Sequence, residues 1–511
     1  MTKQNKSPIL DRRRCGVLLH PSSLPGGIGC GDLGPEAFHF IDFIVNCGAS
    51  VWQVLPLGPT HDDGSPYMSL SVMAGNPHLI SLQRLHEWGW LQQDCIPSTA
   101  KSKSESNPFH LRRECLRLAY QGFLQHAAAH DQAALTRFIT EHAYWLDDYA
   151  LFIALRNHHQ GNTWTQWPAP LRDRETAALQ EAKQQLQPEI QQTCFEQFVF
   201  FRQWHALRHY ANERGVLLFG DMPIFVAHDS AEVWANRKFF DLDDTGQART
   251  IAGVPPDYFA ATGQRWGNPH YDWQQMKQDG FGWWVKRLRG ALELYDMLRV
   301  DHFRGFESYW EIKASEQTAM NGRWVKTPGK ALFNTLLETI GQLPFVAEDL
   351  GTITPAVDAL RERYGWPGMK ILQFAFDGHV DNPYLPHNYT NSNCVVYTGT
   401  HDNDTTLGWF QQLTSADQQR VLSYLGLERA AQQDPSTTTD MPWPLIRCAL
   451  ASVARLAVLP MQDLLGLGKG HRMNTPGTNK ENWSWRFEWN QVDPDMPGRL
   501  KEMVSIYGRR L

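Results

Sequence analysis

Eight short apolar runs recur along the chain, each closed by a polar residue and most preceded by a stretch with helical spacing. They are "GVLLH" (16–20), "SVWQVLPLGP" (50–59), "VLLFGDMPIF" (216–225), "MLRVDHF" (297–303), "PFVAEDLG" (344–351), "MKILQFAF" (369–376), "CVVYTGTHD" (394–402) and "LAVLPMQD" (456–463). Runs that are apolar throughout, instead of alternating, belong to parallel strands buried on both faces, and the helical stretches between them supply the crossovers. In "FVFFRQWHALRHYANERGVLLFGD", Phe200, Trp204, Leu207 and Ala211 share one helical face, Gly215 stops the helix and a strand begins at once. "ALFNTLLETIGQLPFVAED" repeats the arrangement with Leu332, Leu336, Ile340 and Gly341. Eight such units predict an α/β fold, the (β/α)8 TIM barrel. A doubly wound open sheet is the rival, but no Gly-x-Gly-x-x-Gly turn follows the first strand.

The units are unequal. The polar "PSTAKSKSESNP" and the Gln-rich "LQEAKQQLQPEIQQ" point to a mainly helical insertion after strand two, near 85–200. A long excursion, 228–275, follows strand three, and such βα-loops lie over the rim of a barrel. Residues 1–511 thus read as one barrel domain carrying insertions. With 42% hydrophobic and 20% charged residues the chain has globular composition, and a net charge of −6 from 48 basic and 54 acidic residues gives no footprint for nucleic acid. The start "MTKQNKSPILDRRRCGVLLH" has no apolar stretch long enough for a signal peptide, and no later run would span a membrane, so a cytoplasmic protein without a membrane partner is expected. Eight scattered cysteines form no C-x-x-C pair or zinc pattern. The 20 Trp, 25 Phe and 15 Tyr exceed the usual share, and aromatic faces suit the apolar faces of sugar rings.

Four predicted strands end in acid, at Asp221, Asp301, Glu348 and Asp402. In a parallel barrel all C-terminal strand ends face the same rim, so these four converge. Any one of them could equally cap a helix or pair with a nearby arginine, and Asp349 and Asp404 suit such supporting roles better. Arg299, His302, Arg304 and His401 are at hand to compensate the clustered charge. Two chemistries use a cluster of this kind: glycosyl transfer with one ionised and one protonated carboxyl, or sugar isomerisation at a divalent metal. Arg299 stands two residues before Asp301, on the same strand face, where it would repel a cation and hold a carboxylate ionised, which argues against metal.

The segments "RVDHFRGFESYW", "VAEDLG", "YTGTHDNDT", "GDMPIFVAHDSAEVWAN", "SPYMSLSVMAGNPHLISL" and "GVPPDYFAATGQRWGNPHYDW" resemble the signatures of glycoside hydrolase family 77, the amylomaltases, in order from about Arg14 to "NWSWRFEW". The resemblance implies a barrel enzyme, a retaining 4-α-glucanotransferase needing no metal or organic cofactor. Its substrates would be maltodextrins, with maltose and glucose as further donors or acceptors. By motif match Asp301 would be the nucleophile, Glu348 the acid and base, and Asp402 the group that binds sugar hydroxyls in the transition state. Tyr67 would form an aromatic platform under the sugar, and Asp221, Arg299, His302 and His401 would line the same subsite. Asn474 and Pro476 would belong to the loop after the last strand, and Tyr258, Phe259 and Trp266 to a lid over the cleft. From the residues alone, Tyr67 also reads as a core tyrosine beside a proline turn, His401 as a satisfied buried histidine, and Tyr258 and Phe259 as loop anchors. Arg265 replaces a less charged residue in the family pattern, which leaves the acceptor side open. Alternatives within the same scaffold are an α-amylase-type hydrolase and a non-catalytic maltodextrin-binding protein.

Overall fold

The computed structural model describes residues 10–97, 107–256, 260–428, 430, 440–478 and 481–510. Its strands are β1 (Arg14–Leu18), β2 (Val51–Gln53), β3 (Leu217–Met222), β4 (Thr250–Val254), β5 (Gln264–Pro269), β6 (Met297–Val300), β7 (Ser308–Lys313), β8 (Gly322–Lys326), β9 (Phe345–Ala347), β10 (Gly368–Ile371), β11 (Cys394–Tyr397) and β12 (Leu456–Pro460). Eight of them form one parallel sheet in the order β10-β11-β12-β1-β2-β3-β6-β9, and these are the eight apolar runs of the sequence. Their side chains are buried on both faces, toward the barrel interior and toward the surrounding helices, which is why the runs do not alternate.

The sheet closes on itself between β9 and β10 through two bonds in place of a ladder. The Ala347 N–H donates to the Pro367 carbonyl at 2.9 Å, and the Met369 N–H donates to the Asp349 carboxylate at 2.7 Å. Arg361 holds the other Asp349 oxygen at 3.2 Å. Gly368 is required here, because a Cβ at that position would lie 2.1 Å from Asp349 Oδ2. Burial raises the Asp349 pKa, with Arg361 opposing it.

Between β2 and β3 the chain is mainly helical: Pro108–His126, Ala129–His158, Thr176–Gln185 and Gln187–Glu213. The last of these crosses position 200 without a break and delivers the chain to β3. Phe200, Trp204, Leu207 and Ala211 are fully buried along its inner face, and Trp204 donates from Nε1 to the Leu294 carbonyl at 2.8 Å. Gly215 turns the chain at φ +74°, after which the Leu217 N–H reaches the Ser50 carbonyl at 3.0 Å. The apolar spacing thus fixes both the helix and the direction of the strand it feeds.

A second sheet stands above the rim, with antiparallel order β5-β4-β7-β8. Its core is small, built on Ile251, Ile312 and Ala319. Sequence pattern reads 228–275 as loop, yet β4 and β5 lie in it. β4 is glycine-bearing and short, and it is stabilised by pairing with β7, Gly253 opposite Trp310, a partner far away in the chain. Tyr258 and Phe259, residues 98–106 and residues 431–439 lie outside the described residues. Among the described residues no helix is long and apolar enough to cross a membrane.

Removing the buried acceptor at the seam is expected to weaken the whole barrel. Asp349→Ala should lower the unfolding free energy by about 2–4 kcal/mol, measured as a shift in the urea midpoint. An unchanged midpoint would show that the backbone bond alone closes the sheet.

Candidate active site

Strand register sets the geometry of the site. Asp221 on β3 is directly opposite Arg299 on β6, and β6 runs beside β9 with Val300 opposite Ala347. Side chains two apart on a strand share a face, so Arg299 and Asp301 point the same way. Asp301 and Glu348, each one residue beyond a paired position, come to rest side by side on neighbouring strands about 4.8 Å apart. Arg299 is buried between its two acids: Nη1 lies 2.6 Å from Asp221 and Nη2 lies 2.9 Å from Asp301. Asp221 stands within β3 and not past its end, which places it one layer below Asp301.

Glu348 is oriented by main chain. It accepts from the His302 N–H at 2.7 Å and the Leu350 N–H at 2.9 Å. His302 takes the left-handed conformation, φ +48°, unusual for a non-glycine residue, and this turn directs its N–H at the carboxylate. Asp402 lies five residues beyond the end of β11. It accepts from Asn474 Nδ2 at 2.6 Å, and Arg472 donates to its carbonyl at 2.7 Å. Tyr67 donates its hydroxyl to Asp221 at 2.7 Å, while His401 Nε2 lies 2.9 Å from that hydroxyl and 3.3 Å from Asp402. The Tyr67 and His401 rings stack at 5.3 Å, and Trp266 packs edge-on against His302 at 4.9 Å.

The carboxyls share an environment that resists a second negative charge. Burial pushes Asp301 up to about 8, with Asp221, Glu348 and Asp402 adding to the rise and Arg299 opposing it. Burial raises Glu348 as well, against Arg299 and the two N–H donors. Both acids thus favour the protonated form more than a free carboxyl does, and the negative charge of one opposes ionisation of the other. Burial also lowers His401, and it lowers His302 to about 3, so both imidazoles are neutral. Among the described residues no group of three or more His, Cys, Asp or Glu is placed to hold a metal ion. The arrangement can present one ionised and one protonated carboxyl to the same small volume.

The glycoside hydrolase family 77 model, described as 4-alpha-glucanotransferase, matches residues 19–491. The chain belongs to this glucanotransferase family. It is 48% identical over 509 residues to the 4-alpha-glucanotransferase of Synechocystis sp., covering 98% of this chain and 99% of that protein. It is 49% identical over 499 residues to the 4-alpha-glucanotransferase of Thermus thermophilus, covering 97% and 99%. Among solved structures, the amylomaltase from Streptococcus agalactiae in complex with acarbose superposes with a TM-score of 0.90 at 38% identity, covering 98% of this chain and all of that one.

In this member of the family, Tyr67, Asp221, Arg299, Asp301, His302, Glu348, His401, Asp402 and Asn474 form one connected cluster, with Trp266 at its edge. Pro476 is exposed on the same loop, two residues past Asn474. Arg265 is exposed and donates to the Ala314 carbonyl at 3.1 Å, tying β5 to the segment after β7. Arg304 turns away from the carboxylates and serves the Thr352 carbonyl. Asp404 accepts from the Thr405 N–H at 2.8 Å, a local turn contact. Three partners escape the motif reading. Arg472 and Trp483 close the site around Asp402 and His401, and buried Asp463 ties down both ends of the loop that carries them, through Thr398 and Thr406. Trp483 lies in "NWSWRFEW", where only aromatic density hints at it.

Loss of the central guanidinium should have a pH signature. Arg299→Ala leaves Asp221 and Asp301 facing each other, a change expected to cost about 3–5 kcal/mol near neutrality. The acids left behind prefer to be protonated in the fold, and their unfolded counterparts ionise near pH 4. The deficit therefore grows as pH rises above about 4 and shrinks below it. Urea unfolding of both proteins at pH 4 and pH 7 checks this; equal deficits would mean that the arginine acts by packing alone.

Proposed function

We propose that this chain is a retaining 4-α-glucanotransferase working by double displacement, with Asp301 as nucleophile and Glu348 as acid and base. The observation that carries the reading is the Arg299 bridge to Asp301, one strand away from a second carboxyl, Glu348, which two main-chain N–H groups hold in place and burial raises. Retaining enzymes keep their two carboxyls about 5 to 5.5 Å apart, a separation within reach of two acids at the ends of neighbouring strands. In the first step an Asp301 oxygen attacks the anomeric carbon of an α-1,4-linked glucan while Glu348 gives its proton to the departing O4. The glucanosyl unit is then an ester of Asp301. In the second step the 4-hydroxyl of an acceptor loses its proton to Glu348 and attacks the same carbon, freeing Asp301. One glycosidic bond is broken and one is made, and no water is consumed.

The surrounding groups suit this chemistry. Arg299 opposes the burial that raises Asp301, favours the ionised nucleophile over its protonated form and fixes its direction. Asp402, steadied by Asn474 and His401, presents carboxylate oxygens to the hydroxyls of the sugar at the cleavage point, where positive charge develops. Tyr67, locked by Asp221 and His401, offers its ring as the floor. Trp266 packs on His302 at the mouth, where we read it as keeping water from the ester so that a sugar hydroxyl reacts instead; Tyr258 and Phe259, expected to act with it, lie outside the described residues. Maltodextrins serve as donors, with maltodextrins, maltose or glucose as acceptors. Eight free thiols suit a reducing compartment such as the cytoplasm.

Two measurements test the reading. Maltotriose should give glucose together with a ladder of longer oligomers, and Asp301→Asn should reduce its turnover by about 10⁴-fold or more. Hydrolysis to shorter products only would favour the amylase-type alternative, and a ladder persisting in the variant would remove Asp301 as nucleophile. The pH profile gives a second check. Because burial raises Glu348, the acid keeps its proton above the ordinary carboxylate range, and the fall of kcat/KM with rising pH should be displaced above that range. A fall centred near pH 4 to 5, the ordinary carboxylate range, would contradict this assignment.

A further inference from the structure

The four-stranded sheet carries a tryptophan that the reaction as described does not use. Trp324 lies in the middle of β8, the edge strand, and is 39% exposed. Exposure alone decides nothing, since isolated apolar side chains are common on surfaces. What distinguishes Trp324 is that its ring is held. The Arg304 guanidinium lies 3.6 Å from the ring centroid, and Trp310 packs edge-on at 5.1 Å with an interplanar angle of 63°. Trp310 is itself fixed by a bond from Nε1 to the Ala319 carbonyl at 2.9 Å. With Arg304 over the ring, Trp310 against it and 39% of the residue still open to water, the indole presents its exposed apolar surface in one orientation with little entropy left to lose.

Its place in the fold gives the second half of the argument. Arg304 follows His302 by two residues, and it donates to the carbonyl of Thr352, four residues past Glu348. The two segments that position Glu348 are thus bolted to the indole by one side chain. Glu348 is the group on the side of the departing and incoming oxygen, so what lies just beyond its loop lies along the acceptor. A charged pair lies on the same sheet face as the ring: Lys326, two residues along β8 from Trp324, bonded to Glu307. A neutral hexose has an apolar face for the ring and hydroxyls for such a pair.

We propose that Trp324 is an outer acceptor subsite, on which a later glucose unit of an α-1,4-glucan acceptor stacks while the 4-hydroxyl of its first unit reaches Glu348. The inference rests on the transfer reading above and extends it to acceptor choice. A long acceptor touches this platform; free glucose is too short to do so.

The test uses the full-length enzyme, a fixed donor, and labelled glucose or labelled maltotetraose as acceptor. In Trp324→Ala the KM for maltotetraose should rise about tenfold relative to that for glucose, and Trp324→Phe, which keeps a ring, should recover most of the loss. Melting temperatures of both variants guard against a folding defect. An unchanged ratio of the two KM values, or equal weakening toward both acceptors, would overturn the subsite. Wild-type enzyme that transfers to neither acceptor would overturn the transfer reading and the subsite with it, whereas normal wild-type transfer with an unchanged ratio removes the subsite alone.

Discussion

The site depends on a single buried cation. Arg299 reaches from β6 to the acid just past the end of its own strand and to another in β3, so that three charges are settled across two successive layers of the barrel. Burying a guanidinium is costly unless its donors are taken up, and here two carboxylates take them. The same contact does three things: it neutralises Asp221, it holds Asp301 at a fixed angle, and it opposes the burial that would otherwise keep Asp301 protonated. Tyr67 and His401 then hang from Asp221, and Asp402 from His401, so the order of the cluster propagates outward from that one side chain.

Around this centre the fold divides labour. The parallel barrel supplies spacing, because neighbouring strands cannot sit at any other distance, and the loops supply direction through backbone donors and turns. Glu348 shows both. β9 delivers it to the right place, and the strained turn at His302 turns an N–H toward it. The antiparallel sheet above the rim adds neither charge nor spacing to the carboxylates; it carries the exposed tryptophan proposed above as an acceptor platform.

How much of this could be read beforehand follows from the range of each interaction. The barrel strands were legible since burial on both faces writes an unbroken apolar run into a few consecutive residues. The arginine beside Asp301 was legible because it acts at a separation of two along the chain. β4 and β5 were not: β4 pairs with β7, and no local pattern announces a partner so distant in the chain, while β5 pairs with β4 through a register that shifts between Ile251 and Gly253. The same reason hides Arg472 and Asp463, whose contacts with the Asp402 loop span some tens of residues. Arg304 was grouped with the compensating charges on sequence proximity, but the tight turn after His302 swings it outward to Thr352.

Glu348 and Asp349 are consecutive, one the proposed acid and base and the other welding the barrel shut between β9 and β10. That weld is two bonds wide, where other strand pairs have a ladder. Opening of that seam would leave Glu348 and Asp301 together on the laddered β6–β9 side and part them from Asp402, which follows β11 on the other side. A cross-link from β9 to β10 would therefore hold the two halves of the cluster in register on heating.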